Sequence, residues 1–218
     1  LAVTRVMPEG EVELAPHLAV SFSQPMVAVT SHAELEKLPV PVRLSPQPPG
    51  AWRWVGAKTV MFEPDGRFPM ATEYTVEIAG GVKSAVGGAL AQAKTWTFAT
   101  PPPKATSTVP TSGPQRLEPV IVVVFDQKVD PRAVLEVTSL ESVGKPVPIR
   151  LATAAEIEAD ELARSVVAQA EPGRYVALRG VDPLVRASSF TVKIAAGMPS
   201  AEGPRRTRDP VQFHFYTF

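Results

Sequence analysis

The sequence predicts an all-β protein of two tandem antiparallel β-sandwiches, with one short helix inserted in the second. Three observations predict it. Short apolar runs bounded by turn residues recur along the whole chain, which is the pattern of many short strands. One such pattern occurs twice, about half the chain apart. Proline, at 24 of 218 residues, sits between the apolar runs and not within them. It cannot donate to a β-ladder, so it marks strand ends and edges.

A length of 218 residues suits two domains of about 100 residues each. Hydrophobic residues make up 44%, enough for a core in each half. Basic and acidic residues balance at 22 each, so the chain lacks the positive field that nucleic acid or an anionic membrane attracts. There is no cysteine, which excludes disulfides, thiolate metal sites and a thiol nucleophile. The most apolar stretch, Val120 to Phe125, is far shorter than the roughly 20 residues of a membrane-spanning helix. The chain opens at Leu1 without a signal-peptide pattern and is expected to be part of a longer protein.

The repeat sets the order of elements. Val3 to Pro8 returns as Ala105 to Pro110, the first strand of each copy. Leu14 to Met26 returns 103 residues on as Leu117 to Val129, with Leu14/Leu117, Pro16/Pro119, Val20/Val123, Phe22/Phe125 and Gln24/Gln127 aligned. In the first copy Leu18, Val20 and Phe22 alternate as the inward face of a half-buried strand. In the second, Val120 to Phe125 is apolar throughout and reads as a central strand. Thr59 to Phe62 and Tyr74 to Ile78 follow, separated by a Pro64-Asp65-Gly66 turn. Tyr74 to Gly81 returns 116 residues on as Phe190 to Gly197. Trp96-Thr97-Phe98 and Phe213-His214-Phe215 close the two copies. The unequal shifts place an insertion of about a dozen residues in the second. There Thr153 and Glu156 form a capping box that opens a helix over Ala154 to Ala170, with Ile157, Leu162 and Val166 near one face and Pro172-Gly173 as its stop. Ser31 to Lys37 is a weaker helix candidate. The boundary falls at Thr100-Pro101-Pro102-Pro103, giving domains over 1–102 and 103–218. A linker this short and stiff is expected to restrict the angle between them.

Chemistry-bearing patterns are few. Trp52 and Trp54, two apart on a strand, share a face. Exposed, they would form a stacking platform for sugar rings; buried, they are core, which paired aromatics commonly fill. Ser142-Val143-Gly144-Lys145 fits the S-x-x-K pattern of penicillin-interacting serine enzymes, but it sits in a turn with no K-T-G partner. His17, His32 and His214 lack a second ligand at metal spacing. His214, between Phe213 and Phe215, is expected to face solvent or a domain interface. Asp126 and Asp130 read as solvated turn residues outside any calcium-loop pattern. Gly80-Gly81 and Gly87-Gly88 frame a hairpin loop, without the Lys-Ser/Thr of a phosphate loop. The residues thus point to two immunoglobulin-like modules with no catalytic residue, cofactor or metal site.

Five phrases carry a family resemblance across nearly the whole chain. They are Ser21-Phe22-Ser23-Gln24-Pro25-Met26, Tyr74 to Gly80 with the Ser84 to Gly88 turn, Thr97-Phe98-Ala99-Thr100-Pro101-Pro102-Pro103, Val124-Phe125-Asp126-Gln127-Lys128-Val129-Asp130, and Gly197-Met198-Pro199-Ser200-Ala201-Glu202-Gly203-Pro204. In this order they resemble the N-terminal macroglobulin, or bacterial Ig-like, modules of the bacterial alpha-2-macroglobulin family. The resemblance implies a parent that traps proteases broadly. A protease cuts a bait region, the molecule changes shape and cages it, and in many members a Cys-x-Glu-Gln thioester also binds it. It further implies export to the periplasm, with a lipoprotein anchor in the inner membrane. The implied partners are neighbouring modules of the same chain, host or competitor proteases through the full-length protein, and a penicillin-binding protein. With no Cys and no long bait segment, this stretch is expected to be scaffold. Two other readings stay open: stalk modules of a surface-layer or adhesin protein, and a carbohydrate-binding accessory module.

Overall fold

The computed structural model describes residues 1–28, 32–35, 38–111 and 113–218. The chain divides into two compact units, Leu1–Pro101 and Pro102–Phe218.

Unit 1 packs two four-stranded sheets. One contains β1 (Val3–Met7), β3 (Leu18–Phe22), β6 (Thr59–Pro64) and β5 (Gly50–Val55), in the order β1-β3-β6-β5. The other contains β2 (Gly10–Glu11), β8 (Lys94–Ala99), β7 (Glu73–Ile78) and β4 (Val42–Ser45), in the order β2-β8-β7-β4. All pairings are antiparallel except β2 on β8. The first segment thus serves both sheets, and the strand order is that of an immunoglobulin-like sandwich. A short helix, α1 (His32–Leu35), lies within the expected Ser31 to Lys37 stretch; Ser31, Glu36 and Lys37 are outside the described residues.

Strand alternation builds the core. Leu18, Val20 and Phe22 point inward and are at most 2% exposed. Tyr74, Val76 and Ile78 point inward from β7 at no more than 1% exposure, and Trp96 and Phe98 from β8 at 6% and 0%. Tyr74 and Phe98 stack at 4.8 Å, and Phe68 meets both edge-on at 5.0 and 5.2 Å. Aromatic pairs in these geometries add about 0.5–1.5 kcal/mol beyond their buried area.

Unit 2 repeats the plan. One sheet runs β14 (Ile149–Leu151), β15 (Tyr175–Gly180), β11 (Ile121–Phe125), β9 (Ala105–Val109). The other runs β10 (Pro114–Gln115), β17 (Val211–Thr217), β16 (Ser189–Ile194), β12 (Thr138–Ser142), β13 (Lys145–Val147). Phe190 and Phe215 stack at 5.3 Å, at the positions of Tyr74 and Phe98.

The insertion lies between β14 and β15 and differs from the expectation. It forms two helices, α3 (Ala154–Ala159) and α4 (Glu161–Gln169). The capping box at Thr153 and Glu156 is present. The break comes at Asp160, whose backbone is extended and whose carboxylate accepts from the N–H groups of Leu162, Ala163 and Val120. A short polar side chain that bonds nearby backbone ends one helix and caps the next. The break shifts the helical phase. Leu162, expected on the buried face, is 47% exposed, and Ala163 takes the inward position at 0%. Ile157, Val166 and Val167 pack with Ala163 onto Val120, Val122 and Ala177.

This explains why Val120 to Phe125 is apolar throughout. Ile121, Val123 and Phe125 face the sandwich core, while Val120 and Val122 face the helices. At the positions aligned with Val120 and Val122, unit 1 has His17 and Ala19. A further helix, α2 (Pro131–Glu136), links β11 to β12, with Asp130 as its N-cap and Pro131 in its first turn. Asp130, read from the sequence as a solvated turn residue, is this cap. Among the described residues no helix is long and apolar enough to cross a membrane.

Candidate functional site

The polar residues marked by the sequence serve mainly as internal ties. In each unit, a glutamine two residues beyond strand β3 or β11 holds a serine in the loop leading to the last strand. Ser84 Oγ donates to Gln24 Oε1 at 2.7 Å and accepts from Gly88 N at 2.9 Å. Ser200 Oγ donates to Gln127 Oε1 at 2.7 Å and accepts from Glu202 N at 2.9 Å. A Cβ at Gly88 would lie 2.0 Å from Gln24 Oε1, so any larger residue there would push the Gln24 side chain out of the latch. The Gly80-Gly81 and Gly87-Gly88 pairs therefore belong to a latched hairpin, bridged at Lys83 and Ala89.

A second tie repeats where the first sheet crosses to the second. Thr100 Oγ1 donates to Pro69 O at 2.9 Å and accepts from Thr72 N at 3.1 Å. Thr217 Oγ1 donates to Val185 O at 2.6 Å and accepts from Ser188 N at 3.3 Å. Both threonines are at most 2% exposed. In both corners an alanine, Ala71 or Ala187, takes a left-handed backbone, with φ of 54° and 48°. Unit 1 adds Tyr74, whose hydroxyl donates to Pro69 O at 2.9 Å. This is the tyrosine corner of immunoglobulin-like sandwiches. Unit 2 has Phe190 in that place.

Trp52 and Trp54 do not form a platform. Trp54 is 2% exposed and packs against Phe22. Trp52 is half-buried, with its ring 5.1 Å from Phe62 and its Nε1 donating to Gln47. Ser142 to Lys145 is the tip of the β12–β13 hairpin. His214 is exposed on β17, where Nδ1 lies 2.9 Å from Thr191 Oγ1 and Nε2 lies near Gln212, so among the described residues no carboxylate orients the ring. His17 is half-buried, and the side chain of His32 is outside the described residues. Asp126 accepts from Lys104 N and from the Gln127 side chain. Among the described residues no group of three or more His, Asp or Glu side chains is placed to hold a metal.

One electrostatic cluster was not legible in the sequence. Glu156 closes the capping box on Thr153 and pairs with Arg150 of β14 at 2.6 Å and Arg179 of β15 at 2.8 Å. Arg179 also pairs with Glu118. The Arg150 guanidinium, with the Thr153 N–H, holds the Glu156 carboxyl well below the usual carboxylate range. Beside this cluster a cleft of about 700 Å³ opens between the 113–120 connection and the inserted helices, with Phe218 at its rim.

Known families, curated proteins and solved structures each include matches to this chain. The family model described as "Bacterial Ig-like domain" matches residues 1–100. Among curated proteins, Circularly permutated Ras protein 2 of Dictyostelium discoideum is 24% identical over 155 residues, 68% of this chain and 4% of that protein. An L,D-transpeptidase from Mycobacterium smegmatis is similar at 17% identity and a TM-score of 0.32, over 70% of this chain and 54% of that one. Native alpha-2-macroglobulin from Escherichia coli, spanning domains MG0-NIE-MG1, is similar at 15% identity and a TM-score of 0.32, over 99% of this chain and 71% of that one. The chain thus spans about half of the transpeptidase and a small fraction of the Dictyostelium protein. With the strand order, the repeated corner and latch, and the family match over residues 1–100, the chain is a tandem pair of Ig-like modules.

Proposed function

We propose that the two modules are non-catalytic scaffold within a longer, exported bacterial protein of the alpha-2-macroglobulin type. The observation that carries the scaffold reading is the use of polar side chains. Gln24, Ser84, Thr100, Gln127, Ser200, Thr217, Asp130 and Asp160 each hold a loop, corner or helix end of their own unit. Side chains engaged this way stiffen a sandwich, and among the described residues they leave no nucleophile–base pair poised for chemistry. The protease-trap assignment rests on the five sequence phrases given above. In this reading the modules carry bait and thioester regions encoded elsewhere, and proteases engage the full-length protein. Neighbouring modules of the same chain and a penicillin-binding protein are its other partners, at a periplasmic lipid anchor.

The test is the coding sequence on both sides of these residues, followed by expression of the whole protein with a protease. A Cys-x-Glu-Gln motif and a bait-cleaved, caged protease support the trap. Further Ig-like repeats ending in a wall-anchoring segment make the chain a stalk and overturn it. The carbohydrate-binding reading loses its basis, because Trp54 is buried.

A further inference from the structure

We propose that unit 2 pairs with a second copy of itself through one end, the hairpin tip at Val143 of each copy entering the cleft beside Phe218 of the other.

Val143 is the first observation. It sits between Ser142 and Lys145 at the tip of the β12–β13 hairpin. Its φ is 49° and that of Gly144 is 72°, so both turn residues are left-handed. Gly or Asn suits the first of these positions, and a β-branched side chain suits it least. Val143 is also 91% exposed, the highest value among the exposed large hydrophobics. The left-handed strain and the bare isopropyl group bring nothing in return within the unit. An outlier of this kind points to a contact outside the fold.

The cleft is the second observation, and it is complementary to the tip. Leu162 and Phe218 at its walls are 47% and 58% exposed. Arg179, Glu118 and Glu156 are paired among themselves. That leaves Arg116 on one wall and Glu161 on the other, both exposed and without a bonding partner among the described residues. The tip carries the opposite arrangement. Val143 lies between Glu141 and Lys145, which are likewise exposed and unpaired. An aliphatic anchor between an anion and a cation thus meets a cleft of mixed lining, where Leu162 and Phe218 stand between a cation and an anion.

Tip and cleft lie at the same end of the unit. The β-register brings the tip level with Ser189 and Tyr216, and Phe218 follows at the end of β17. Arg116 follows Gln115, which pairs with Thr217. The chain enters at the opposite end, where Ala105 pairs with Phe125. With both features at one end, a two-fold axis lets each copy give its tip and receive the other's, the self-complementary form of a closed dimer. Lys145 then meets Glu161, and Glu141 meets Arg116.

The test is analytical ultracentrifugation of the full 218-residue chain over a range of concentrations. A dimer that grows with concentration is expected. Val143→Asn should weaken association about tenfold or more, while the melting temperature rises because Asn tolerates the left-handed turn. That combination separates a lost contact from a damaged fold. Glu161→Lys should also weaken the dimer, and adding Lys145→Glu should restore it. A chain that stays monomeric overturns the proposal. So does a dimer indifferent to Val143→Asn, or a charge swap that fails to rescue.

Discussion

Ser200 Oγ donates to Gln127 Oε1 across 2.7 Å, and Gln127 is wholly buried. The pair ties the end of β11 to the loop before β17, 73 residues later in sequence. Gln24 and Ser84 make the same bond in unit 1, with the glutamine half-buried. Burial sets the difference in what each is worth, since an orphaned polar group costs its full desolvation only where water cannot reach it.

Gln127→Ala is therefore expected to destabilise unit 2 by about 2–3 kcal/mol, and Gln24→Ala to destabilise unit 1 by about 1 kcal/mol. The two units can be followed apart, because all three tryptophans lie in unit 1. Urea unfolding read by tryptophan fluorescence reports Gln24, and the far-ultraviolet transition it does not track reports Gln127. Gly88→Ala should break the same latch from the other side. In a double-mutant cycle with Gln24→Ala the two losses should fall well short of additive. Full additivity would mean that Gly88 acts independently of the latch.

Tyr74→Phe removes the hydroxyl that reaches Pro69 O and leaves the ring stacked on Phe98. The expected loss is about 1 kcal/mol, read by tryptophan fluorescence during urea unfolding. Unit 2 already carries Phe190 there, and among the described residues Thr217 alone bonds the Val185 carbonyl. Thr217→Val is expected to cost more, about 2 kcal/mol, because the buried Thr217 hydroxyl ties the Val185 carbonyl and the Ser188 N–H together. Equal losses in the two variants would refute this ranking.

The Arg150–Glu156–Arg179 cluster predicts how the insertion responds to acid. The Glu156 carboxyl is held well below the ordinary value of about 4.3, chiefly by Arg150. A depressed carboxylate contributes stability that is fully present above its unfolded value and is lost as pH falls through the folded one. Unit 2 should thus lose stability progressively below about pH 4, and Glu156→Gln should flatten that dependence. Urea unfolding at a series of acidic pH values, read by circular dichroism, checks it. An unchanged slope in the variant would assign the acid sensitivity to other carboxylates.

Much of the fold was readable because the repeat made it so. Leu18, Val20 and Phe22 announced the inward face of β3, and the unequal spacing between copies located the insertion. Thr153 and Glu156 announced a helix start, since a capping box is a local pattern. Asp160 was less readable. Within an Ala- and Glu-rich run it looks like another helical residue, and only its bond to Val120 N, 40 residues away, gives the break its tertiary anchor. Leu162 was misplaced for the same reason, because periodicity counts through a break it does not detect. The glutamine–serine latch left a trace in the aligned Gln24 and Gln127. The pairing itself joins residues far apart in sequence.

By itself, the sequence determined the two-module plan, the strand alternation, the insertion's place and the absence of thiol chemistry. These follow from spacing and composition, which act over a few residues or repeat along the chain. Tertiary structure alone decided which apolar residues are core and which are tips. Val122 and Val143 are the same side chain, yet one lies under the inserted helices at 0% exposure and the other stands at a hairpin tip at 91%. Burial is a property of what packs against a residue, and here those neighbours come from distant parts of the chain.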